Sequence, residues 1–114
     1  MSKQNIIEIS IAKNFSIYPG ARYRTDGENS GQEFYEEKLR PILTKIWEIN
    51  NTHIILDFDG TFGYASSFIS EVFISVVRDF KDKKKIKKIL KFKSNDDPLL
   101  VDAILNIIEK AENQ

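Results

Sequence analysis

Asp57 and Asp59 stand two residues apart and are followed at once by Gly60 and Thr61. Two carboxylates at that spacing, at the carboxyl end of a strand, can converge on one divalent cation. A few residues on, Ser66 and Ser67 offer hydroxyls where a helix is expected to begin, and a phosphate placed there would meet the helix's positive end. Thr61 and Tyr64 lie in the loop between these two groups. Arg22 and Tyr23 form a further candidate set on a polar loop, where they either grip an anionic or protein ligand or pair with nearby acids on a solvated connection.

The elements that must position these residues are legible from apolar periodicity. Ile54, Ile55, Leu56 and Phe58 form a short β-branched run, which predicts a central strand covered on both faces and ending at the two aspartates. Gly60 and Gly63 open a loop, Ser66 or Ser67 is the expected N-cap of the next helix, and Glu71 sets negative charge near its start. Phe68, Ile69, Val72, Phe73, Val76, Val77 and Phe80 recur at helical spacing over a wide arc. That breadth fits either a homodimer through this helix or cover by the other helices.

Upstream, Ile7, Ile9 and Ile11 alternate with Glu8 and Ser10, predicting a first strand over 5–11. Phe15 to Tyr18 predicts a short second strand ended by Pro19-Gly20. Ser30-Gly31-Gln32-Glu33 has the capping-box pattern and starts a helix reaching about Ile49, with Pro41 expected to kink or divide it. Ile86, Ile89, Leu90 and Phe92 predict a strand among lysines. Asp96 or Asp97 caps a last helix with Pro98 near its first position, and its Leu99 to Ala111 stripe is expected on the sheet. The predicted order is β(β)αβαβα: an α/β (α+β) fold with a mixed sheet of about four strands and about three helices, in one domain over 1–114.

Composition narrows the chemistry. Among 114 residues, seventeen basic and seventeen acidic side chains cancel, so no global charge favours nucleic acid. The lysines of 81–93 are either a patch for an acidic partner or the charged protection of an edge strand; the latter is preferred, and nucleic acid is not an expected partner. No cysteine is present, and His53 is the single histidine, read as a strand-edge residue because one histidine does not build the usual zinc set. No metal or other cofactor is expected. The segment MSKQNIIEIS lacks a basic stretch followed by a sustained apolar run, and no stretch approaches about 18 apolar residues. The expectation is a soluble, cytoplasmic protein without membrane contact.

Two resemblances bear on function. Asp57-Phe58-Asp59-Gly60-Thr61 after an apolar strand resembles the first motif of haloacid-dehalogenase-like phosphatases, in which the first aspartate attacks phosphorus, the second is general acid and base, and magnesium offsets the charge. In that family the motif closes the first strand, whereas here roughly half the chain precedes it. A magnesium-dependent phosphohydrolase is therefore the alternative reading.

The whole chain more closely resembles the STAS-like domains of unknown function, relatives of the sulphate-transporter and anti-sigma-factor-antagonist fold. The likeness runs through Pro19-Gly20-Ala21-Arg22-Tyr23-Arg24, Asp26-Gly27, Ser30-Gly31-Gln32-Glu33-Phe34, Leu56-Asp57-Phe58-Asp59-Gly60-Thr61 and Gly63-Tyr64-Ala65-Ser66-Ser67-Phe68, with Glu71, Phe73 and Arg78, and covers roughly residues 6 to 110. Anti-sigma-factor antagonists carry a regulatory serine in an Asp-Ser-Ser-Gly segment, phosphorylated by a kinase of histidine-kinase-like ATPase fold. By that likeness Ser66 takes the phosphoacceptor place and Ser67 its neighbour, with Ala65 standing for the aspartate and Phe68 for the glycine. The resemblance implies a non-enzymatic regulatory module that binds a protein partner of that ATPase class through 61–67 and the exposed side of the following helix, with Arg22, Tyr23, Asp57, Asp59, Thr61 and Tyr64 as candidate contacts.

Overall fold

The structure is a computed structural model that describes residues 5–112; the first four residues of the MSKQNIIEIS segment lie outside it. Three parallel strands form the sheet: β1 (Asn5–Ser10), β2 (Thr52–Asp57) and β3 (Leu90–Lys93), in the spatial order β1-β2-β3. Ile7 pairs with Ile54, Ile9 with Leu56, and Leu56 in turn with Phe92. The predicted mixed sheet of about four strands is thus an all-parallel sheet of three among the described residues.

Both crossovers step in the same direction across this sheet. Since βαβ crossovers are right-handed, steps in one direction place every connecting helix on one face. Side-chain burial follows that rule. Ile9, Ile54, Leu56 and Leu90 are buried on the helix side, flanked by Ile7 and Phe92. On the other side Ile6, Glu8 and Lys91 are exposed, and His53, Ile55 and Asp57 are half-buried. The central strand is covered on one face, which corrects the expectation of two. Consecutive strand order, rather than residue composition, decided this.

The predicted strand over Phe15 to Tyr18 is absent. Ser10 instead closes β1 and caps the short helix α1 (Ile11–Asn14): its Oγ accepts from Lys13 N–H at 3.1 Å while its own N–H donates to Asn14 Oδ1 at 2.7 Å. Phe15 then turns inward onto Phe34 and Phe68, at centroid distances of 5.4 and 6.3 Å. The chain next makes a closed loop in which Gly20 N–H donates to Asn29 O and Gly31 N–H to Ala21 O. A Cβ on Gly20 would lie 2.2 Å from Glu28 O, so the two arms of this loop approach too closely for a side chain.

Ser30 caps α2 (Gly31–Phe34) as expected, accepting from Glu33 N–H at 3.0 Å. A π-helical turn, Tyr35–Leu39, joins it to α3 (Arg40–Ile46). Pro41 accounts for the interruption. It has no N–H for the carbonyl four residues back and its ring crowds that position, so the helix widens by one residue just before it, with Arg40 N–H donating to Tyr35 O. The widened turn buries both Tyr35 and Leu39. Tyr35 Oη donates to Asp79 Oδ2 at 2.6 Å, and burial together with that carboxylate pushes its ionisation well above the usual tyrosine range.

α4 (Ser66–Phe80) is the spine of the helical layer. Its wide apolar arc lies against α2 on one side and α6 (Leu99–Lys110) on the other, so the other helices cover it and its breadth gives no separate ground for a dimer. Gly31 permits the first of these contacts, since a Cβ there would sit 2.6 Å from Phe68 O. The lysine-rich segment divides into α5 (Lys83–Ile89), capped by Asp82, and β3. α6 packs chiefly on α4 rather than directly on the sheet, burying Leu100, Ile104 and Ile108 while Leu99 stays exposed. Its N-cap is Pro98 without a side-chain cap, which leaves Asp96 for another task. Among the described residues no helix is long and apolar enough to cross a membrane.

Candidate functional site

β2 ends at Asp57 and α4 begins at Ser66, and the loop between them is fastened largely by its own side chains. Asp57 Oδ1 accepts from Asp59 N–H at 3.0 Å, and its Oδ2 lies 3.7 Å from Lys93 Nζ on β3. Asp59 Oδ1 reaches across to Asp96 N–H at 2.8 Å, and Asp96 Oδ2 accepts from Gly60 N–H at 3.0 Å. This reciprocal staple ties the loop after β2 to the loop after β3. The Asp96 N–H bond, foremost, holds the Asp59 carboxyl below its usual range. Gly60 and Gly63, at φ of +91° and +112°, occupy left-handed backbone that side-chain-bearing residues rarely adopt.

Thr61 Oγ1 accepts from Gly63 N–H at 3.2 Å, while Tyr64 folds back so that its Oη donates to Phe58 O at 2.8 Å. The Tyr64 ring lies edge-on to Phe58 at 5.5 Å and against Phe68 at 5.7 Å. Burial, as the main cause, pushes the Tyr64 hydroxyl up to about 12. Asp57, Asp59, Thr61 and Tyr64 are thus brought together, each with a polar atom engaged in holding the loop. Both aspartates act as acceptors for backbone amides. Among the described residues no group of three or more His, Asp, Glu or Cys side chains is placed to hold a metal ion.

The serines do not cap α4. Ala65 is the N-cap, at φ −67° and ψ 143°, and its carbonyl accepts from Phe68 N–H and Ile69 N–H. Ser66 is exposed at the first helical position and Ser67 half-buried at the second. Glu71 lies beyond the first turn, where it accepts from Ser75 Oγ at 3.1 Å and faces Arg22 Nη1 at 4.0 Å. Arg22 is therefore joined to α4. Tyr23 is held elsewhere, its N–H donating to Asp26 Oδ2 at 3.1 Å. Arg24 pairs with Glu36 and Glu37, at 3.2 and 2.9 Å.

The most exposed part of the loop carries a side chain that periodicity does not single out. Phe62 is 76 % exposed and stacks on Tyr18, itself 60 % exposed, with ring centroids 4.9 Å apart and planes 12° from parallel. Phe62 N–H donates to Ile17 O at 2.9 Å, so the pair is fixed by backbone as well as by stacking, and Ile17 is exposed beside it. The sequence signal was an aromatic residue in a glycine-bounded loop, outside the apolar stripe of α4.

At the opposite, amino-terminal end of the strands lies a cleft of about 640 Å³, lined by Trp47, His53, Lys84, Lys85 and Lys88 among others. His53 is half-buried in β2, and its Nδ1 lies 3.1 Å from Lys88 O, in keeping with its strand-edge reading. Lys85 Nζ sits 4.6 Å from the centroid of the Trp47 ring and 3.9 Å from Glu48.

A parallel sheet with helices on one face and a polar loop at the carboxyl end of its central strand defines an α/β domain. Residues 30–100 match the profile of the STAS-like domain of unknown function, and the chain belongs to that family. Neither the curated proteins nor the solved structures contain a match to this chain.

Proposed function

We propose that this domain is a regulatory protein-interaction module that docks a partner on the Ile17, Tyr18 and Phe62 surface. The exposed, backbone-fixed Tyr18–Phe62 stack carries the reading. Aromatic side chains immobilised before binding lose little conformational freedom on docking, and such residues dominate the energetics of protein interfaces. Fastening the loop with Asp57, Asp59, Asp96, Thr61 and Tyr64 supports a surface that is preformed rather than assembled on contact. Arg22 and Tyr23 lie on the neighbouring loop as candidate peripheral contacts.

The partner we propose is a histidine-kinase-like ATPase, and the switch is phosphorylation of Ser66, with Ser67 the secondary acceptor. Two observations support Ser66: it is exposed, and its hydroxyl is not used to cap α4. A phosphate there adds about −1.5 to −2 charges four residues from Phe62, at a helix terminus that tolerates it, and changes the docking surface sharply. A photo-crosslinking residue placed at Tyr18 in cells is expected to capture a protein with that ATP-binding fold. The Phe62→Ala substitution should abolish capture. Mapping the 61–78 peptide under neutral conditions is expected to find phosphate on Ser66. Capture that persists in Phe62→Ala would refute the docking surface, and an unmodified peptide would refute the switch.

A further inference from the structure

The two edges of the sheet are protected very differently. β3 is four residues long and alternates Leu90 and Phe92 with Lys91 and Lys93, a charged edge that discourages pairing with another strand. β1 has the sequence NIIEIS over its six residues, with one charge, no lysine and no proline. It also ends the sheet on its side, and Ile6 is 56 % exposed.

The backbone direction of β1 can be read from its bonds. Asn5 N–H donates to Asn51 O, so the odd-numbered residues turn their amides and carbonyls toward β2. The even-numbered residues turn theirs outward. Ser10 confirms this, because its N–H donates instead to Asn14 Oδ1 of α1. Outward pairing is therefore closed at Ser10, and among the described residues the open groups are those of Ile6 and Glu8.

We infer that β1 pairs antiparallel with β1 of a second copy of this chain, about a two-fold axis at Ile7. In this register Ile6 and Glu8 of one copy exchange both backbone hydrogen bonds with Glu8 and Ile6 of the other. The Ile7 side chains meet on the helix-covered face, where Ile7 is only half-buried in the single chain. A register centred on Glu8 would set two like charges directly opposite and would need the Ser10 amide that Asn14 already holds. Between these two registers, the charge pattern and the blocked amide select the one centred on Ile7. Two three-stranded sheets become one six-stranded sheet whose outer edges are both the lysine-bearing β3. This inference does not rest on the docking surface proposed above.

The absence of native cysteine permits a direct test. Central residues of a non-hydrogen-bonded antiparallel pair have Cα atoms about 4.5 Å apart, within disulfide reach, whereas a residue displaced by one position from the axis is out of reach of its own copy. Light scattering of the intact chain at about 100 µM is expected to give twice the 13.2 kDa chain mass. Mild oxidation should link Ile7→Cys into a covalent dimer and leave Ile6→Cys monomeric in denaturing gels. Ile6→Pro removes only an outward donor and should yield a folded monomer, checked by circular dichroism. A monomeric parent chain would overturn the proposal. So would a dimer that crosslinks through Ile6→Cys instead of Ile7→Cys, or one that survives in folded Ile6→Pro.

Discussion

The two ends of the central strand use opposite means to shape their surroundings. At the amino end of β2 a cleft of about 640 Å³ is bounded by long side chains, with Lys85 resting on Trp47 and facing Glu48. At the carboxyl end the loop is tied by short side chains to its own backbone and to the loop after β3. Lysine side chains retain many rotamers and are well hydrated, so the cleft's lining is easily rearranged. The stapled loop instead holds two apolar rings in water. Order where solvent should favour mobility is the stronger sign of a working surface, and volume alone is a poor guide.

The largest contrast should come from the aromatic cluster beneath the loop. Phe68 is fully buried and packs with Phe15, Phe34 and Tyr64. Phe68→Ala should destabilise the fold by about 3–5 kcal/mol, measured by urea denaturation. Lys88→Glu, at the cleft, should fall within about 0.5 kcal/mol of the parent chain. Equal losses at the two sites would erase the difference in rigidity between the ends.

A smaller effect is expected at Tyr64. Tyr64→Phe removes the hydrogen bond to Phe58 O and should cost roughly 1 kcal/mol at neutral pH. In the folded chain burial pushes this hydroxyl up to about 12, above its ordinary value of 10.0. The folded state therefore keeps a proton that the unfolded chain has lost, so this contribution is complete below pH 10 and disappears as pH rises toward 12. Stability measured across that window should fall less steeply in Tyr64→Phe, with Tyr35 supplying a slope that remains.

A change in stability as small as that of Lys88→Glu is expected at the site with the largest effect on binding. Phe62→Ala should alter unfolding by no more than about 0.5 kcal/mol, because the ring is exposed. It should nevertheless remove partner capture, whereas Lys88→Glu leaves capture intact. A Phe62→Ala chain that unfolds much more readily would make the aromatic pair a structural prop.

How much of this was legible depended on whether one period governed a segment. β1 and α4 each show a single period and β2 a continuous apolar run; all three types were read correctly, but the run in β2 did not reveal that only one face is covered. The 83–93 segment mixes two: Ile86 and Ile89 are three apart, as on a helix face, while Leu90 and Phe92 are two apart, as on a strand. Joined together they looked like one strand. Phe15 to Tyr18 failed for the opposite reason, since two apolar residues in alternation are too few to distinguish Phe15, which faces the core, from Ile17, which faces solvent.

Capping residues were less reliable than periodicity. Ser30 caps α2, but Ala65 rather than either serine precedes α4, and Pro98 precedes α6 while Asp96 fastens the loop. Serine and aspartate satisfy many kinds of turn, so their presence near a helix start does not fix which amide they meet. The candidate loop was visible from its polar residues and glycines. Its exposed Tyr18–Phe62 stack was not, because it joins residues far apart in sequence.

The staple between Asp59, Gly60 and Asp96 also bears on the order of folding. Its halves belong to loops that follow different strands, so it closes only after β3 has docked beside β2. A chain in which β3 has not docked lacks this staple, so the proposed docking loop would be less firmly held in it. Under the proposed docking role, completion of the sheet would therefore precede partner engagement.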